Sequence, residues 1–557
     1  MSDGRAEICN IAQALKDVAA AAPHDTALIV PGRAGGRWTF AQIEGNTCFY
    51  ADFLARQGIK RRQRVMLMVK PSMPFICLTF ALFSLGAVVI LIDPGMGYKN
   101  LLRCISSVEP ETLIAIPRAQ LFKRLFSKSF RTVRRHICVG EAFGLLGRQL
   151  PPPGRHPADF IMAATGPDDP AAIIFTTGST GPPKGVQYEH RIFQAQLAQI
   201  KNYYSIGPGD VDQPAFPLFA LFSIALGACA VIPEMDPSRP AQVNPRKFIA
   251  TIKKYGVTYS FGSPAIWEVV GRYCRSRGIK LPSLQKVLMA GAPVSGDLLR
   301  KMFAVLPAAG EIHIPYGATE SLPVISISGR EVVEDTWKHT VRGKGICVGR
   351  PLPGVLARVI PVVDGPVADV GNQLPVGEIG EIIVKGEVVT KSYCNNEAEN
   401  HLAKIFVGDG FWHRIGDVGY FDAQGRLWFC GRKAHRVLTA NGILYTICCE
   451  AVFNQHPKVR RSALVGIGKP GRQRPVLIVE PYEKIDDPAG LRQDLGNIAL
   501  AHEHTAEIAD FMIHDAFPVD IRHNAKIFRE KLAKWVTEGR GSEGRGQGLR
   551  RQRTGCR

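Results

Sequence analysis

The residues best suited to chemistry are concentrated between residues 171 and 190, in "AAIIFTTGSTGPPKGVQYEH". An apolar run leads directly into a loop of small and hydroxylated residues that contains a single lysine. Small residues let backbone N–H groups approach phosphate oxygens, hydroxyls add donors, and a lysine adds positive charge. The pattern predicts a phosphate-binding loop after a buried strand, without the GK[ST] of a Walker loop. The loop residues are Thr176, Thr177, Gly178, Ser179, Thr180, Gly181 and Lys184.

A second glycine motif, "GIGKPG" at 466–471, formally matches the GxGxxG pattern of dinucleotide-binding proteins. A dinucleotide fingerprint opens a helix, whereas here Pro470 and Pro475 interrupt the chain and another strand-like run, "VLIVE", follows. The segment is therefore predicted to be a hairpin or loop and not a nucleotide site.

The elements that must position the phosphate loop follow two patterns. In the first two thirds of the chain, helical patterns alternate with short Val/Ile-rich runs such as "TLIAI" and "KVLMAG", which predicts parallel sheets covered by helices. From about Cys347 to Cys430, strands follow one another through glycine-containing turns, which is typical of antiparallel β structure. After Gly431, about 100 residues return to α/β alternation. The sequence thus predicts an α/β fold with a domain boundary at "GRKAH".

Two apolar runs imitate membrane spans, 75–92 and "LFALFSIALGACAVIPEMDP" from residue 218. Each is divided by a glycine, Gly86 or Gly227, and β-branched or small residues follow the glycine. Each run is predicted to be a helix followed by a buried strand. The polar opening "MSDGRAEICNIAQAL" has no signal-peptide pattern, so neither a transmembrane segment nor secretion is expected.

Composition favours a folded protein, because hydrophobic residues make up 46% of the 557 residues and charged residues 21%. Residues 118–135 contribute +7 and residues 539–557 contribute +5 to the net charge of +20. Because much of the charge is concentrated in these two segments, no nucleic-acid partner is expected. The tail 539–557 is predicted to be disordered, with a tether to acidic surfaces as the alternative. The segment "RAQLFKRLFSKSFRTVRRH" at 118–136 is typical of a basic amphipathic helix. A plain surface helix and peripheral membrane contact both fit it.

The cysteine pattern indicates a reducing environment. The 13 cysteines include no CxxC pair, so neither a disulfide framework nor a zinc ribbon is predicted. We therefore expect a cytoplasmic protein.

Five segments in order resemble the adenylate-forming superfamily of acyl-CoA synthetases, peptide-synthetase adenylation domains and luciferases. "TTGSTGPPKG" resembles its phosphate loop, and the other segments resemble its adenine and magnesium segment, ribose segment, interdomain hinge and catalytic-lysine segment. These are "YGATE" at 316–320, "WHRIGDVGYFD" at 412–422, "GRKAHRV" at 431–437 and "NAKIFREKL" at 524–532. The resemblance implies an N-terminal adenylate-forming domain (1–430), a hinge (431–434) and a small, mobile α+β C-terminal lid domain (435–538), with the tail beyond.

The resemblance also implies ATP and Mg²⁺ as cofactors and assigns roles to single residues. Glu320, with Thr176, is expected to bind Mg²⁺, since hard oxygen ligands suit that ion. Asp417 is expected to accept hydrogen bonds from the ribose hydroxyls, and Arg432 to contact ribose or phosphate. Adenine-binding residues are Tyr316, Gly317, Ala318 and Thr319, and catalytic residues are Lys526, Thr319 and Glu320. Asp422, by contrast, is explained by the Asx chemistry of a turn.

Four segments resemble one group in particular, the olefin β-lactone synthetases of bacterial long-chain olefin biosynthesis; they are 216–245, 261–273, 425–439 and 520–533. That resemblance implies adenylation of a long-chain 2-alkyl-3-hydroxyalkanoic acid, after which the β-hydroxyl displaces AMP and closes a β-lactone. It also implies a long apolar cleft, and partners resembling the pathway's thiolase, ketoreductase and β-lactone decarboxylase.

Two departures from the wider superfamily agree with this group. Acyl-CoA synthetases commonly carry Asp or Lys where this chain has Ala434, and His where it has Ala220. A long-chain fatty acyl-CoA ligase remains the first alternative and a carrier-protein acylating enzyme the second. A third alternative, from another class, is a basic binding protein with a vestigial ATP site, whose only support is the charge.

Overall fold

The computed structural model describes residues 9–32, 35–141, 144–154, 160–176, 182–216, 218–520 and 526–539. The described chain forms two compact units. The first contains the residues up to Trp337 together with Ile346–Phe429 and Asp520–Lys526, and the second contains Lys338–Gly345, Cys430–Val519 and the residues from Ile527 onward.

The helices, in chain order, are α1 Gln13–Ala21, α2 Phe40–Arg56, α3 Met73–Ser84, α4 Tyr98–Val108, α5 Pro117–Leu125, α6 His190–Tyr204, α7 Phe219–Ala225, α8 Pro245–Tyr255, α9 Pro264–Ser276, α10 Gly296–Phe303, α11 Gly329–Glu331, α12 Trp337–Thr340, α13 Glu397–Ala403, α14 Thr446–Phe453, α15 Pro488–Leu500 and α16 Arg529–Thr537.

The strands, in chain order, are β1 Thr26–Val30, β2 Gly36–Thr39, β3 Arg64–Met68, β4 Val88–Leu91, β5 Thr112–Ala115, β6 Arg135–Cys138, β7 Arg148–Gln149, β8 Pro170–Phe175, β9 Gly185–Glu189, β10 Val211–Asp212, β11 Cys229–Val231, β12 Tyr259–Gly262, β13 Lys286–Met289, β14 Glu311–Ala318, β15 Ser321–Ser328, β16 Ile346–Pro351, β17 Leu356–Ile360, β18 Gly380–Lys385, β19 Ser392–Tyr393, β20 Lys404–Val407, β21 Gly410–Phe421, β22 Leu427–Arg432, β23 Val437–Leu438, β24 Ile443–Leu444, β25 Val459–Ile467, β26 Arg474–Pro481 and β27 Asp510–Ile513.

An eight-stranded sheet in the first unit carries the phosphate loop. Its order is β19-β9-β8-β4-β3-β5-β6-β7, and the strands from β8 to β7 run parallel. β4 and β8 are buried between helices, which explains their almost uninterrupted apolar sequences. The predicted loop starts where β8 ends, at the carboxyl edge of this sheet, and β9 returns antiparallel to β8.

A fourteen-stranded sheet places the adenine-like and ribose-like segments together. Its order is β17-β18-β21-β22-β16-β15-β14-β13-β12-β10-β11-β1-β2, with β20 beside β21. The strands from β14 to β22 pair antiparallel, as the glycine-separated strands of 347–430 predict. The predicted α/β fold with parallel sheets and a β-rich part is therefore confirmed.

The second unit has its own core. β25, β26 and β27 form a three-stranded sheet, and helices α14, α15 and α16 contribute to the apolar clusters on its two faces. The "GIGKPG" segment joins β25 to the antiparallel β26, so its interpretation as a hairpin is confirmed. The hinge at 431–434 and the mobility of the lid stay predictions.

Both apolar runs fold as predicted. In the first run α3 ends at Ser84, Gly86 adopts φ +64°, and β4 follows; in the second, α7 precedes Gly227 at φ +83° and β11. L-residues with side chains rarely adopt such positive φ values, so a glycine separates helix from strand in each case. No helix in the described part of the chain is long and apolar enough to cross a membrane.

The basic helix predicted for 118–136 is wrong in extent. α5 ends at Leu125, a 3₁₀ turn covers Ser127–Phe130, and β6 begins at Arg135. The physical reason is burial: the chain leaves the helical conformation at Phe126 (φ −120°, ψ 43°), and Phe130 is then fully enclosed in the core beside β5. Of the tail predicted at 539–557, all but Gly539 lies outside the described residues, as do 177–181 of the phosphate loop.

Candidate functional site

Glu320 and Thr319 lie at the tip of a hairpin. β14 and β15 pair antiparallel up to Ala318 and Ser321, so only Thr319 and Glu320 form the turn. Gly317, two residues before Thr319, must be glycine, because a Cβ atom there would lie 2.3 Å from the Ser321 carbonyl oxygen. The hairpin therefore presents the predicted catalytic and magnesium-binding residues on a short, constrained turn.

The segment before α13 holds Glu320 at both its side chain and its backbone. The Tyr393 hydroxyl donates to Glu320 Oε1 at 2.7 Å. The backbone N–H and the hydroxyl of Thr390 both donate to the Glu320 carbonyl, at 2.9 and 3.0 Å. Three donors from one short segment thus fix the position of this residue.

Thr319 is held from β9. The Tyr188 hydroxyl donates to the Thr319 carbonyl at 2.5 Å. Tyr188 is buried, and burial together with the nearby charge of Glu320 raises the pKa of its hydroxyl, against the Gln196 side chain. The neutral hydroxyl is therefore a stable donor at this end of the hairpin.

Tyr316 and Asp417 meet directly. Tyr316 lies on β14 and Asp417 on β21, after Gly416 at φ +79°, and the Tyr316 hydroxyl donates to Asp417 Oδ2 at 2.6 Å. The segments that resemble the adenine and ribose parts of the family site are thus adjacent in space. Asp417 is buried, and a buried carboxylate keeps its charge only with donors arranged around it.

A buried ion pair anchors the strand that carries Asp417. Arg414 on β21 donates from Nε and Nη2 to the two carboxylate oxygens of Glu381 on β18, at 3.1 and 2.7 Å. Its remaining N–H groups donate to carbonyls of Val363, Gly365 and Leu402. Both side chains are almost fully enclosed, so β21 is fixed three residues before the predicted ribose contact.

The two ends of the phosphate loop are joined to each other. Thr176 N–H donates to the Lys184 carbonyl, and Lys184 N–H donates to Thr176 Oγ1, both at 3.0 Å. The loop therefore begins and ends at neighbouring points. The predicted residues Thr177, Gly178, Ser179, Thr180 and Gly181 lie between them, outside the described residues.

The Lys184 side chain has two partners. Its Nζ lies 2.5 Å from Glu399 Oε2 on α13, and 5.2 Å from the centre of the Tyr393 ring. Tyr393 therefore contacts Lys184 with its ring and Glu320 with its hydroxyl. It lies on β19, which pairs with β9, so the same sheet that ends in the phosphate loop also places this tyrosine.

A buried lysine, Lys404, lies close enough to Glu320 to interact with its charge. Lys404 donates from Nζ to the Thr390 carbonyl, and its amine lies 5.2 Å from the centre of the Phe411 ring. Burial lowers the pKa of Lys404 to about 7, although the negative charges of Glu320 and Glu189 oppose that shift. His413, buried beside it, has its pKa lowered well below the usual range by burial and by the Lys404 charge.

Lys526 and Arg432 lie on separate units and are described separately. Lys526 N–H donates to Asp520 Oδ1 at 3.1 Å, and its carbonyl accepts from the Asp520 N–H at 3.0 Å. Arg432 is the last residue of β22 and is half-buried. The catalytic role of Lys526 and the nucleotide contact of Arg432 stay predictions.

Asp422 has the structural role predicted for it. Its Oδ1 accepts from the N–H groups of Gln424 and Arg426, and its Oδ2 from the side chains of Arg426 and Trp428. Burial alone would raise its pKa, but the hydrogen bonds from Trp428 and Arg426 lower it. The turn is thereby closed by the side chain.

The donor set suits a magnesium ion bound mainly through ATP. Among the described residues, no three His, Cys, Asp or Glu side chains gather into a metal-binding group. Mg²⁺ in nucleotide sites is typically bound by one or two carboxylates plus phosphate oxygens and waters. A single well-positioned carboxylate on Glu320 fits that pattern, with Thr176 at the start of the phosphate loop.

Sequence reasoning missed Tyr393, Thr390, Glu399 and Tyr188. The first three lie between β18 and β20 in a segment with few apolar residues, "TKSYCNNEAEN", where no spacing marks them. The contact of Tyr393 depends on β19 pairing with β9, and that of Thr390 on the bridge between Ser321 and Val389. Both pairings are long-range, and a local pattern does not encode them.

Comparison with known proteins places this geometry in context. The family model for AMP-binding enzymes matches residues 15–394. The chain is 44% identical over 555 residues to the olefin beta-lactone synthetase of Xanthomonas campestris pv. campestris, covering 96% of this chain and 98% of that protein. It is also 44% identical over 547 residues to the olefin beta-lactone synthetase of Stenotrophomonas maltophilia, covering 95% and 98%. A long-chain-fatty-acid–CoA ligase of Thermus thermophilus is 26% identical over 432 residues, 75% of each chain.

Solved structures agree on the fold. The amide bond synthetase McbA from Marinactinospora thermotolerans superposes with a TM-score of 0.77 at 21% identity, covering 94% of this chain and 99% of that one. The O-succinylbenzoate coenzyme A synthetase from Bacillus subtilis, in complex with ATP and magnesium ion, gives 0.74 at 21% identity, covering 93% and 98%. At this identity the likeness shows the fold alone.

Proposed function

The chain belongs to the AMP-binding enzyme family and is an AMP-forming ligase, and from that premise we propose its reaction. It converts a long-chain 2-alkyl-3-hydroxyalkanoic acid and ATP into a β-lactone, AMP and pyrophosphate. The observation that carries this proposal is the similarity to olefin beta-lactone synthetases along nearly the whole chain. The more distant CoA ligase matches three quarters of it.

The first step is adenylation of the acid. A carboxylate oxygen attacks the α-phosphorus of ATP, the bond to the β-phosphate breaks, and pyrophosphate leaves. Lys184, at the end of the phosphate loop, is proposed to contact phosphate oxygens, and Lys526 to stabilise the charge that develops at the α-phosphate. Tyr316 and Asp417, already hydrogen-bonded to each other, are proposed to hold the adenosine.

Lys184 must change partners when ATP binds. Its ammonium pairs with Glu399 in the structure, and both side chains are about one-third exposed. An exposed ion pair contributes little stability, so a phosphate with a higher charge can replace the carboxylate at small cost. Glu399 is proposed to keep Lys184 directed toward the loop until then.

Magnesium, when bound, would neutralise phosphate charge in this step, and Glu320 with Thr176 are the residues proposed to hold it. Tyr393 is proposed as the positioning residue for Glu320. Its hydroxyl fixes one carboxylate oxygen, while Thr390 fixes the backbone of the same residue. Hydrogen-bond partners of this kind orient a metal-binding carboxylate.

The second step is ring closure. The β-hydroxyl oxygen attacks the acyl carbonyl carbon, the bond from that carbon to the AMP oxygen breaks, and AMP leaves as the hydroxyl proton is released. Nucleophile and electrophile lie in one molecule, so the step gains the advantage of an intramolecular reaction. No protein nucleophile and no second substrate are required.

The alkyl chains need an apolar surface. Phe216, Phe219, Phe222 and Phe261 form a connected aromatic group, and Phe219 stacks on Phe261 with ring centres 3.8 Å apart. All four are half-buried, so each keeps some surface available. We propose that this aromatic group, next to Ala220 on α7, receives the alkyl chains.

Location and partners are also proposals. Cysteines throughout the described residues are free thiols, which supports a reducing, cytoplasmic setting. Similarity to the olefin beta-lactone synthetases suggests assembly with a thiolase, a ketoreductase and a β-lactone decarboxylase that supply the acid and consume the lactone.

Product analysis with and without CoA tests the proposal. The purified enzyme, ATP, Mg²⁺ and a long-chain 2-alkyl-3-hydroxy acid should yield a β-lactone by mass spectrometry with no CoA present. A plain fatty acid of equal length, the matched substrate control, should give at most the acyl-adenylate. An obligatory requirement for CoA, with a thioester product from both acids, would replace this function with that of a long-chain acyl-CoA ligase.

A further inference from the structure

The surface around α5 combines exposed apolar side chains with positive charge. Tyr98, Leu121, Leu125 and Leu145 are 56%, 49%, 79% and 73% exposed. Exposed apolar side chains that are grouped on one surface, and not scattered singly, mark an interaction site. We define the α5 surface by these four residues and the exposed basic residues around them, which are Lys99, Arg103, Arg118, Arg124 and Lys128.

Contacts between the elements show that these residues belong to one surface. The Tyr98 ring stacks on Phe126 at 6.3 Å, and Phe126 packs on Phe122 at 4.7 Å. Arg124 donates from Nη2 to the Leu145 carbonyl at 2.7 Å, which ties the segment after β6 to α5. The start of α4, all of α5 and the loop at Leu145 therefore converge.

The surface is anchored to the core and is not a loose flap. Phe122 contacts Phe130 edge-on with ring centres 6.3 Å apart, and Phe130 is fully buried among residues of β3, β4 and β5. The exposed residues of α5 are thus supported by packing against the sheet beneath them. A rigid, pre-formed patch loses little conformational entropy on binding.

The charge from α5 to β6 is positive, and the first acidic residue after it is the exposed Glu141. Between Pro117 and Gly140 the sequence contains no Asp or Glu. Glu109 pairs with other basic residues, since its carboxylate lies 3.8 Å from both Arg64 and Arg131. The positive charges of Lys99, Arg118 and Lys128 therefore face solvent beside the apolar side chains.

We infer that the α5 surface docks on an anionic lipid bilayer. Apolar side chains interleaved with Lys and Arg match the interface between acyl chains and negatively charged headgroups, where both groups are satisfied at once. An acidic protein surface would satisfy the charges but would leave Leu121, Leu125 and Leu145 in a polar environment. The inference does not depend on the proposed reaction, although an enzyme that uses long-chain acids would find its substrate in the same bilayer.

The test uses the full-length protein and vesicles of two compositions. Co-sedimentation should show binding to vesicles of phosphatidylglycerol and phosphatidylcholine, and little binding to phosphatidylcholine alone. Each basic residue near an anionic surface strengthens binding roughly fivefold, and salt weakens it within a Debye length. Replacing Lys99→Glu, Arg118→Glu and Lys128→Glu together should therefore weaken binding by at least about 100-fold.

A matched control separates local from overall charge. Arg246→Glu, Lys253→Glu and Lys254→Glu on α8 make the same change in net charge at another exposed site, and should change vesicle binding less than about threefold. Leu121→Ser with Leu125→Ser keeps every charge and should weaken binding by roughly tenfold, because insertion is lost. Melting temperature and pyrophosphate release without vesicles should be unchanged in all three variants.

Three results would overturn the inference. The first is wild-type binding that does not distinguish anionic from neutral vesicles. The second is equal loss in the α5 and α8 charge variants, which would assign binding to overall charge or to the basic tail. The third is binding to polyglutamate, lost in the α5 charge variant, without binding to vesicles, which would assign the surface to an acidic macromolecule.

Discussion

Replacing Tyr393 by Phe removes one hydroxyl and leaves the ring. The lost contact is the 2.7 Å hydrogen bond to Glu320 Oε1, whereas the ring beside Lys184 is kept. The substitution removes a single oxygen atom and therefore leaves only a small cavity, and it changes no surface charge because Tyr393 is buried. The effect should therefore report on the position of the Glu320 carboxylate.

The magnitude follows from the type of hydrogen bond. A bond to a charged acceptor contributes about 1.5 to 3 kcal/mol, and a change of 1.4 kcal/mol is tenfold in an equilibrium constant. Thr390 still holds the backbone of Glu320, so only part of the positioning is lost. We expect the half-saturating Mg²⁺ concentration to rise by about tenfold, within the range of about 10- to 100-fold typical of residues that orient metal ligands.

Two assays measure this. Pyrophosphate release at saturating ATP and acid, titrated with Mg²⁺, should shift to higher concentration with a modest change in maximal rate. Calorimetric binding of a non-hydrolysable ATP analogue should weaken in the presence of Mg²⁺ and stay unchanged in its absence. Tyr203→Phe, on the exposed side of α6, is the matched control and should behave as wild type.

The reasoning would be refuted by an unchanged Mg²⁺ response in Tyr393→Phe. Tighter Mg²⁺ binding would refute it equally, because the hydroxyl would then compete with the metal for the carboxylate and not orient it. A fall in melting temperature without a change in Mg²⁺ response would assign Tyr393 a structural role.

Three further predictions concern activity, stability and pH. Lys526→Ala should slow adenylation by roughly 10² to 10³ with the protein still folded, and Lys531→Ala should be mild; near-normal pyrophosphate release by the first variant would disprove its role. Glu381→Ala should lower the free energy of unfolding by about 3 to 5 kcal/mol, because the enclosed Arg414 loses its partner, and a loss below about 1 kcal/mol in urea unfolding would contradict that. Burial lowers the pKa of His190 to about 4, although the negative charge of Asp169 opposes that shift. As pH falls, the imidazole is therefore protonated at a higher pH in the unfolded chain than in the folded one. Stability that is complete above pH 6.5 should therefore decline by about 3 kcal/mol toward pH 4, and the decline should be absent in His190→Gln; parallel melting curves of the two proteins over that range would count against it.

Much of the fold follows from local sequence. Gly86 and Gly227 separate helix from strand where the residue types change, and Pro470 with Pro475 exclude a helix after "GIGKPG". These are short-range signals with strong backbone preferences, so they survive without tertiary information. The segment after Leu125 is the counterexample, because burial of Phe130 decides its path and no local pattern indicates that burial.

The candidate site divides in the same way. Thr176, Lys184, Glu320 and Asp417 stand in glycine-containing segments with chemical types that the sequence displays. The residues that position these side chains carry no such local signal. Tyr393 reaches Glu320 because β19 pairs with β9, where its partner is Val186, 207 residues earlier in the chain. Such contacts depend on topology, and topology is not readable from the segment that makes them.

Oxygen-18 labelling tests the central claim most directly. A 2-alkyl-3-hydroxy acid labelled only at its carboxylate should transfer one labelled oxygen to AMP, and the acid labelled only at its hydroxyl should keep that oxygen in the lactone ring. Both results follow if the carboxylate attacks the α-phosphorus and the hydroxyl then displaces AMP. Label passing from the hydroxyl into AMP would mean that the alcohol is activated in place of the acid, and would contradict the account.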